Sequence, residues 1–150
     1  MGAATSAPAA ARPGVNLAGM EPDLRVPAPV LVAVSAGGVL GALARYGVSA
    51  AWPHAPGAFP WSTWAVNVSG CFLIGVLMVA VERRLSHRPL VRPFLGVGLL
   101  GGYTTFSTFV VEAQHARPAV ALLYLGATVV AALVAVAAGT ALAAGVVRQR

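Results

Sequence analysis

A polar segment inside a long apolar stretch contains the residues best suited to ion chemistry. Residues 101–109 read GGYTTFSTF, and Glu112 follows one turn later. Two adjacent glycines followed by β-branched and hydroxylated residues form helix poorly, so the sequence predicts a helix break here. The helix before such a break ends in carbonyl groups that suit a cation, and the helix after it begins with N–H groups that suit an anion.

The aromatic residues of this segment add a second feature. Phe106 and Phe109 are three residues apart and therefore share a helix face. The positive edges of their rings could border the path of an anion. The alternative interpretation is a kinked helix with aromatic packing residues, and the residue types alone do not separate the two.

Two more polar side chains and a group of glycines lie within apolar runs. Asn67 could donate its amide N–H groups to an anion or to a carbonyl of a neighbouring helix. Arg45 could extend to the membrane interface or attract an anion into a vestibule. It ends a small-residue segment whose glycines allow another helix to approach closely. These glycines are Gly37, Gly38 and Gly41.

The elements that must position these residues are membrane helices. Mean hydropathy is +0.80 and only 9% of residues are charged, whereas soluble proteins have about 25%. Four stretches reach the roughly 20 apolar residues that a membrane helix needs. The sequence therefore predicts an all-α fold with four transmembrane helices, the third of them broken, within residues 29–148. The predicted spans are residues 30–51, 61–81, 91–113 and 119–147.

The remaining N-terminal residues, 1–28, are rich in alanine and proline, and we expect a disordered tail. They lack the basic start and apolar run of a cleaved signal peptide. The first hydrophobic helix is therefore expected to serve as both anchor and targeting signal.

The basic residues are distributed as in a membrane protein. All ten are arginines, set against four acids, and they lie at the ends of apolar runs without an aromatic platform, which argues against nucleic-acid binding. Eight would lie on one side of the membrane and one, Arg117, on the other. This bias predicts cytoplasmic termini in a cell (inner or plasma) membrane. The eight are Arg12, Arg25, Arg83, Arg84, Arg88, Arg92, Arg148 and Arg150.

Three motifs in this order and spacing resemble the CrcB/Fluc family of fluoride ion channels. They are GGVLGALARY at 37–46, STWAVNVSGCFLIG at 62–75 and GLLGGYTTFSTF at 98–109. The resemblance covers the membrane portion and omits the tail. It implies a passive channel, not an enzyme, through which fluoride leaves the cytoplasm. It also implies an antiparallel dimer of four-helix subunits with two narrow pores, in a family known for dual topology.

The resemblance also assigns roles to individual residues. It implies a structural sodium ion at the dimer centre, coordinated by the backbone carbonyls of Gly101 and Thr104. A polar track on the fourth helix should continue past Thr128, but the next position on that face is Ala132. The implied pore-lining residues are Asn67, Phe106, Phe109, Tyr124 and Thr128.

Two competing functions and one question of assembly remain open. A proton-coupled exporter requires a membrane acid, and the only candidate, Glu112, is interpreted as an interfacial or helix-packing residue. A scaffold subunit without transport would leave Asn67 and the hydroxyl groups without a role. The arginine bias suggests a single orientation, and hence pairing with an oppositely oriented homologue. The alternative is a homodimer formed by a minority of inverted chains.

Overall fold

The computed structural model describes residues 26–148, and every regular element in that range is helical. Four segments are long and apolar enough to cross a membrane: Ala28–Ala51, Trp61–Arg84, Arg92–His115 and Pro118–Arg148. The predicted tail at residues 1–28 lies mostly outside the described residues. The helices are α1 (Ala28–Ala51), α2 (Trp61–Arg84), α3 (Arg92–Leu100, with π-helical hydrogen bonding), α4 (Gly101–Tyr103), α5 (Phe106–His115) and α6 (Pro118–Arg148).

Prolines mark the start of three spans. Pro27 and Pro60 directly precede α1 and α2, and α6 begins at Pro118. Proline suits these positions because the first residues of a helix need no N–H donor. The second span extends to Arg84, three residues beyond the predicted end at 81. Arginines are favourable there because they lie at the negative end of the helix and can reach the interface.

Glycines bring α1 and the first part of the third span into backbone contact. A methyl group at Gly41 would overlap the carbonyl oxygen of Leu99, and one at Gly98 would lie 2.6 Å from the oxygen of Val34. Gly38 differs, because a methyl group there would point into open space. The contact at Gly38 is instead made by its backbone, against which Gly102 lies.

A second glycine-mediated contact joins α2 to α6. A methyl group at Gly75 would overlap the oxygen of Val136, and one at Gly139 would overlap the oxygen of Phe72. Large apolar side chains elsewhere on these helices point outward, as Leu122 does with 74% of its surface exposed. Such outward apolar surface is expected where lipid is the solvent.

Candidate functional site

The third span is interrupted at two threonines. Thr104 (φ −74°, ψ 156°) and Thr105 (φ −145°, ψ 124°) have extended backbone between α4 and α5. Gly101 and Gly102, where the sequence suggested weak helix, are themselves helical. The irregular residues are β-branched, and such residues favour extended backbone.

Asn67 of α2 binds the interrupted backbone with both ends of its amide. Its Oδ1 accepts a hydrogen bond from the N–H of Thr105 at 2.8 Å, and its Nδ2 donates to the carbonyl of Thr105 at 3.0 Å. The amide nitrogen carries two hydrogens. Among residues 26–148 only one of them has an acceptor in the protein, so the second remains available to a ligand.

This arrangement releases carbonyl groups at the end of α4. In a continuous helix the Thr105 N–H would bind the carbonyl of Gly101, but here it binds Asn67. The next carbonyl, that of Gly102, accepts a hydrogen bond from Nε of Arg45 at 3.2 Å. The two sequence interpretations of Arg45 placed it at the interface or in a vestibule. The structure shows a third use, in which its guanidinium satisfies backbone of the third span.

The start of α5 is stabilised by its own capping residue. Oγ1 of Thr105 accepts the N–H of Thr108 at 3.2 Å and donates to the hydroxyl of Thr108 at 3.0 Å. The earlier N–H groups of α5 have no acceptor within the helix, as at any helix N-terminus. The positive end of the helix therefore lies at the interruption, inside a membrane-spanning segment.

A cavity of about 260 Å³ adjoins this helix start. Four of the five predicted pore residues line it, drawn from three different spans. The two phenylalanine ring centroids are 6.0 Å apart, and Phe106 is 78% exposed whereas Phe109 is 8% exposed. The lining residues are Asn67, Thr104, Thr105, Phe106, Phe109, Thr128, Val129 and Ala132.

The fourth span does not present a row of free hydroxyl donors to the cavity. Tyr124, the fifth predicted pore residue, is fully buried, and its ring packs on Phe109 with centroids 4.9 Å apart. Thr128 donates its hydroxyl to the carbonyl of Tyr124 at 2.6 Å, within its own helix. Ala132 lines the cavity but offers no hydroxyl. The N–H donors at this cavity therefore come from Asn67 and α5.

Glu112 forms a polar cluster that sequence reasoning did not find. Its two carboxylate oxygens accept hydrogen bonds from Thr63 (2.9 Å) and Tyr124 (3.0 Å), and Nε2 of His54 lies 3.9 Å away. Thr63 and Glu112 are 49 residues apart in sequence, so no local spacing indicates the contact. The bonding of both oxygens fits the interpretation of Glu112 as a packing acid.

Comparison with known proteins identifies the family. A model described as CrcB-like protein, Camphor Resistance (CrcB), matches residues 32–140. The chain belongs to the CrcB family. This confirms the resemblance inferred from the three motifs. The CrcB match includes Arg45, Glu112 and every residue that lines the cavity.

Three similar proteins of the CrcB family are named as fluoride-specific ion channels. A protein of Nocardia farcinica named fluoride-specific ion channel FluC 2 is 53% identical over 129 residues, covering 81% of this chain and 91% of the relative. A Thermobifida fusca protein of the same name is 54% identical, covering 73% and 84%. Fluoride-specific ion channel FluC 1 of Streptomyces coelicolor is 51% identical, covering 75% of each chain.

Proposed function

We propose that this chain is a subunit of a fluoride-specific channel through which fluoride leaves the cytoplasm passively. The relatives named as fluoride-specific channels support this function. The observation that carries it is the cavity at the interrupted third span. There an unused amide N–H, the start of a helix and two aromatic rings meet within a membrane-spanning bundle.

These groups suit a small, strongly hydrated anion. A selective pore must replace the water of such an ion with fixed donors and still hold it loosely enough to release it. The second N–H of Asn67 and the first N–H groups of α5 supply donors at fixed positions. The edges of Phe106 and Phe109 supply weaker positive potential, which favours an anion without trapping it.

A proton-coupled exporter is less well supported. Such a protein needs an acid that gains and loses protons during transport. Both oxygens of Glu112 are already hydrogen-bonded, to Thr63 and Tyr124. We therefore expect fluoride flux to follow the fluoride gradient alone. A dependence of flux on an imposed proton gradient that disappears in Glu112→Gln would instead identify an exporter.

The proposed sodium site fits the residues at the end of α4. Gly101 and Thr104 both line a second cavity, of about 220 Å³, and the carbonyl of Gly101 has lost its usual helical donor to Asn67. Carbonyl oxygens at the negative end of a helix are appropriate ligands for a hard cation. These two carbonyls would hold the ion, whose positive charge would offset the adjacent carbonyl dipoles.

We further propose that the functional unit is an antiparallel dimer. Phe106 lines the pore cavity but is 78% exposed in the single chain. A ring that borders an aqueous ion path is useful only if the path is closed on its other side. A second subunit would close it, and two subunits would then form two pores, while lipid surrounds the assembly.

The arginine distribution bears on the identity of that second subunit. A strong bias of arginines to one side holds a membrane protein in one orientation. With eight on one side and one on the other, we propose that the termini are cytoplasmic and that the partner is an oppositely oriented homologue. C-terminal reporter fusions test this directly, and reporters active on both sides of the membrane would favour a homodimer.

The decisive experiment is fluoride efflux from liposomes. Three preparations are compared: the full chain alone, the full chain with an oppositely oriented homologue from the same genome, and empty liposomes. Fluoride release without chloride release, in either protein sample, supports the channel. Release from the chain alone would exclude a need for the second protein, and silence in both protein samples would overturn the proposed function.

A further inference from the structure

A narrow apolar cleft separates α2 from α6 near their C-terminal ends, away from the pore cavity. It has a volume of about 280 Å³. Val76 and Ala80 form one wall, and Leu142, Ala143 and Val146 are among the residues of the other. Among residues 26–148, Arg84, the last residue of α2, is the only charged residue that lines it.

The cleft lies on the C-terminal side of a close contact between the two helices. Gly75 and Gly139 bring the backbones into contact in the middle of the pair. The residues that line the cleft all follow these two glycines in sequence, from Val76 to Arg84 on α2 and from Leu142 to Val147 on α6. The cleft therefore lies between the glycine contact and the C-terminal ends of the two helices.

The walls of the cleft indicate an apolar occupant with a negatively charged end. A cleft lined by valine, leucine and alanine does not hold water, because water there would lack polar partners. Its mouth carries the guanidinium of Arg84, and Arg83 and Arg148 lie at the ends of the same two helices. Within residues 26–148, no carboxylate lies within ion-pair distance of Arg84.

We propose that this cleft binds an anionic phospholipid, with one acyl chain between α2 and α6 and the phosphate on Arg84. The lipid head binds as a charge-assisted hydrogen-bond acceptor, and the chain fills apolar space that the helices leave open. Anionic lipids gain additional attraction from clustered arginines. The proposal does not depend on which ion the protein conducts.

A second protein chain matches the cleft less well. A copy in the same orientation would bring its own arginines against Arg84, and like charges at an interface are unfavourable. An antiparallel copy would instead bring the loop at residues 52–60, which contains no acidic residue. Glu82 of a copy in the same orientation stands beside Arg83 and Arg84. Glu112 of an antiparallel copy is already hydrogen-bonded to Thr63 and Tyr124, so neither of these acids offers a free negative charge to Arg84.

Native mass spectrometry of the purified full chain can test the proposal. The protein is titrated with phosphatidylglycerol or phosphatidylcholine of identical acyl chains, and the bound fraction is measured. We expect preferential binding of phosphatidylglycerol. Arg84→Gln should weaken it about fivefold, the factor equivalent to about 1 kcal/mol for one arginine at an anionic lipid surface. Arg83→Gln removes the same charge at the neighbouring position, which does not line the cleft, and should weaken binding clearly less than Arg84→Gln does.

A second pair of variants tests the acyl-chain position without changing charge. Ala143→Leu would fill the cleft and should displace the lipid, whereas Ala138→Leu adds the same atoms at an exposed position of α6. Equal losses in the two arginine variants would show diffuse attraction and overturn the site. So would equal binding of the two lipids, or no effect of Ala143→Leu. Cross-linking of residue 143 to a second chain would show that protein covers the cleft.

Discussion

Before its interruption the third span lies against α1 through glycine backbone, whereas after it α5 is attached through side-chain hydrogen bonds. In the first half, Gly41 and Gly98 allow main chains to touch. In the second half, Asn67 holds Thr105, and Glu112 accepts bonds from residues of two other helices. The two halves of one span therefore depend on different physical interactions.

The two kinds of contact suit different roles, since one fixes the position of a helix and the other leaves surface open beside the cavity. Backbone contact depends on shape and does not tolerate an added methyl group, so the first half fixes where α4 ends. Hydrogen bonds need few atoms and leave the neighbouring surface free. The second half can therefore present Phe106 and an unused N–H of Asn67 beside a cavity.

The strongest test of the comparison is a methyl group added to the glycine contact. Gly41→Ala should destabilise the folded protein by about 3 kcal/mol or more, because the new atom overlaps backbone that cannot rotate away. Loss of monodisperse protein after extraction, together with a lower thermal midpoint, would report this. Gly38→Ala is the matched control, since its methyl group meets open space, and it should keep wild-type stability. Similar behaviour of the two variants would show that backbone contact does not hold the first half.

Among substitutions at the contacts of the second half of the third span, Asn67→Asp in α2 should have the largest effect on flux. The carboxylate cannot donate to the carbonyl of Thr105, which would lie about 3.0 Å from a negatively charged oxygen, and it repels an anion in the cavity. Fluoride flux in liposomes should fall about 100-fold, matching the roughly 2.5–3.5 kcal/mol cost of a charge at this depth. Asn67→Ser, which retains a small donor, should lose less. Wild-type flux in Asn67→Asp would show that this residue is only a contact between helices.

Replacing either phenylalanine by isoleucine separates ring chemistry from packing. Phe106→Ile should lower fluoride flux about tenfold, equivalent to about 1.4 kcal/mol, with little change in thermal stability because the ring is exposed. Phe109→Ile should lower flux and also reduce stability, since Phe109 is buried against Tyr124. If both variants conduct like wild type, the rings serve only for packing and the pore lies elsewhere.

The smallest expected effect concerns the polar cluster at the far end of α5. Glu112→Gln retains one carbonyl acceptor for Thr63 or Tyr124 and loses the other, so stability should fall by about 1 kcal/mol. Thermal unfolding measures this change. Leu122→Gln, at an exposed position of α6, places the same side chain outside the cluster. Its loss of stability would be independent of Thr63, whereas the effect of Glu112→Gln should shrink in a Thr63→Val background.

Much of the fold could be predicted from local sequence. The number of spans followed from apolar length, and the region of the interruption followed from the weak helix formers around Thr104 and Thr105. The extra turn of α2 to Arg84 was missed because hydropathy does not count arginines whose stems lie along a helix end. The number of spans and the region of the interruption depend on residues that are close together in sequence, so they can be predicted from the sequence.

Tertiary structure decided which groups meet. Asn67 and Thr105 are 38 residues apart, and Arg45 and Gly102 are 57 apart. The sequence marked Asn67 and Arg45 as unusual in an apolar environment but left each with two possible roles. Their partners depend on how closely glycines let the helices approach and on how the helices rotate about their axes. Helix approach and helix rotation arise from the packing of segments that are distant in sequence, so only the folded structure shows them.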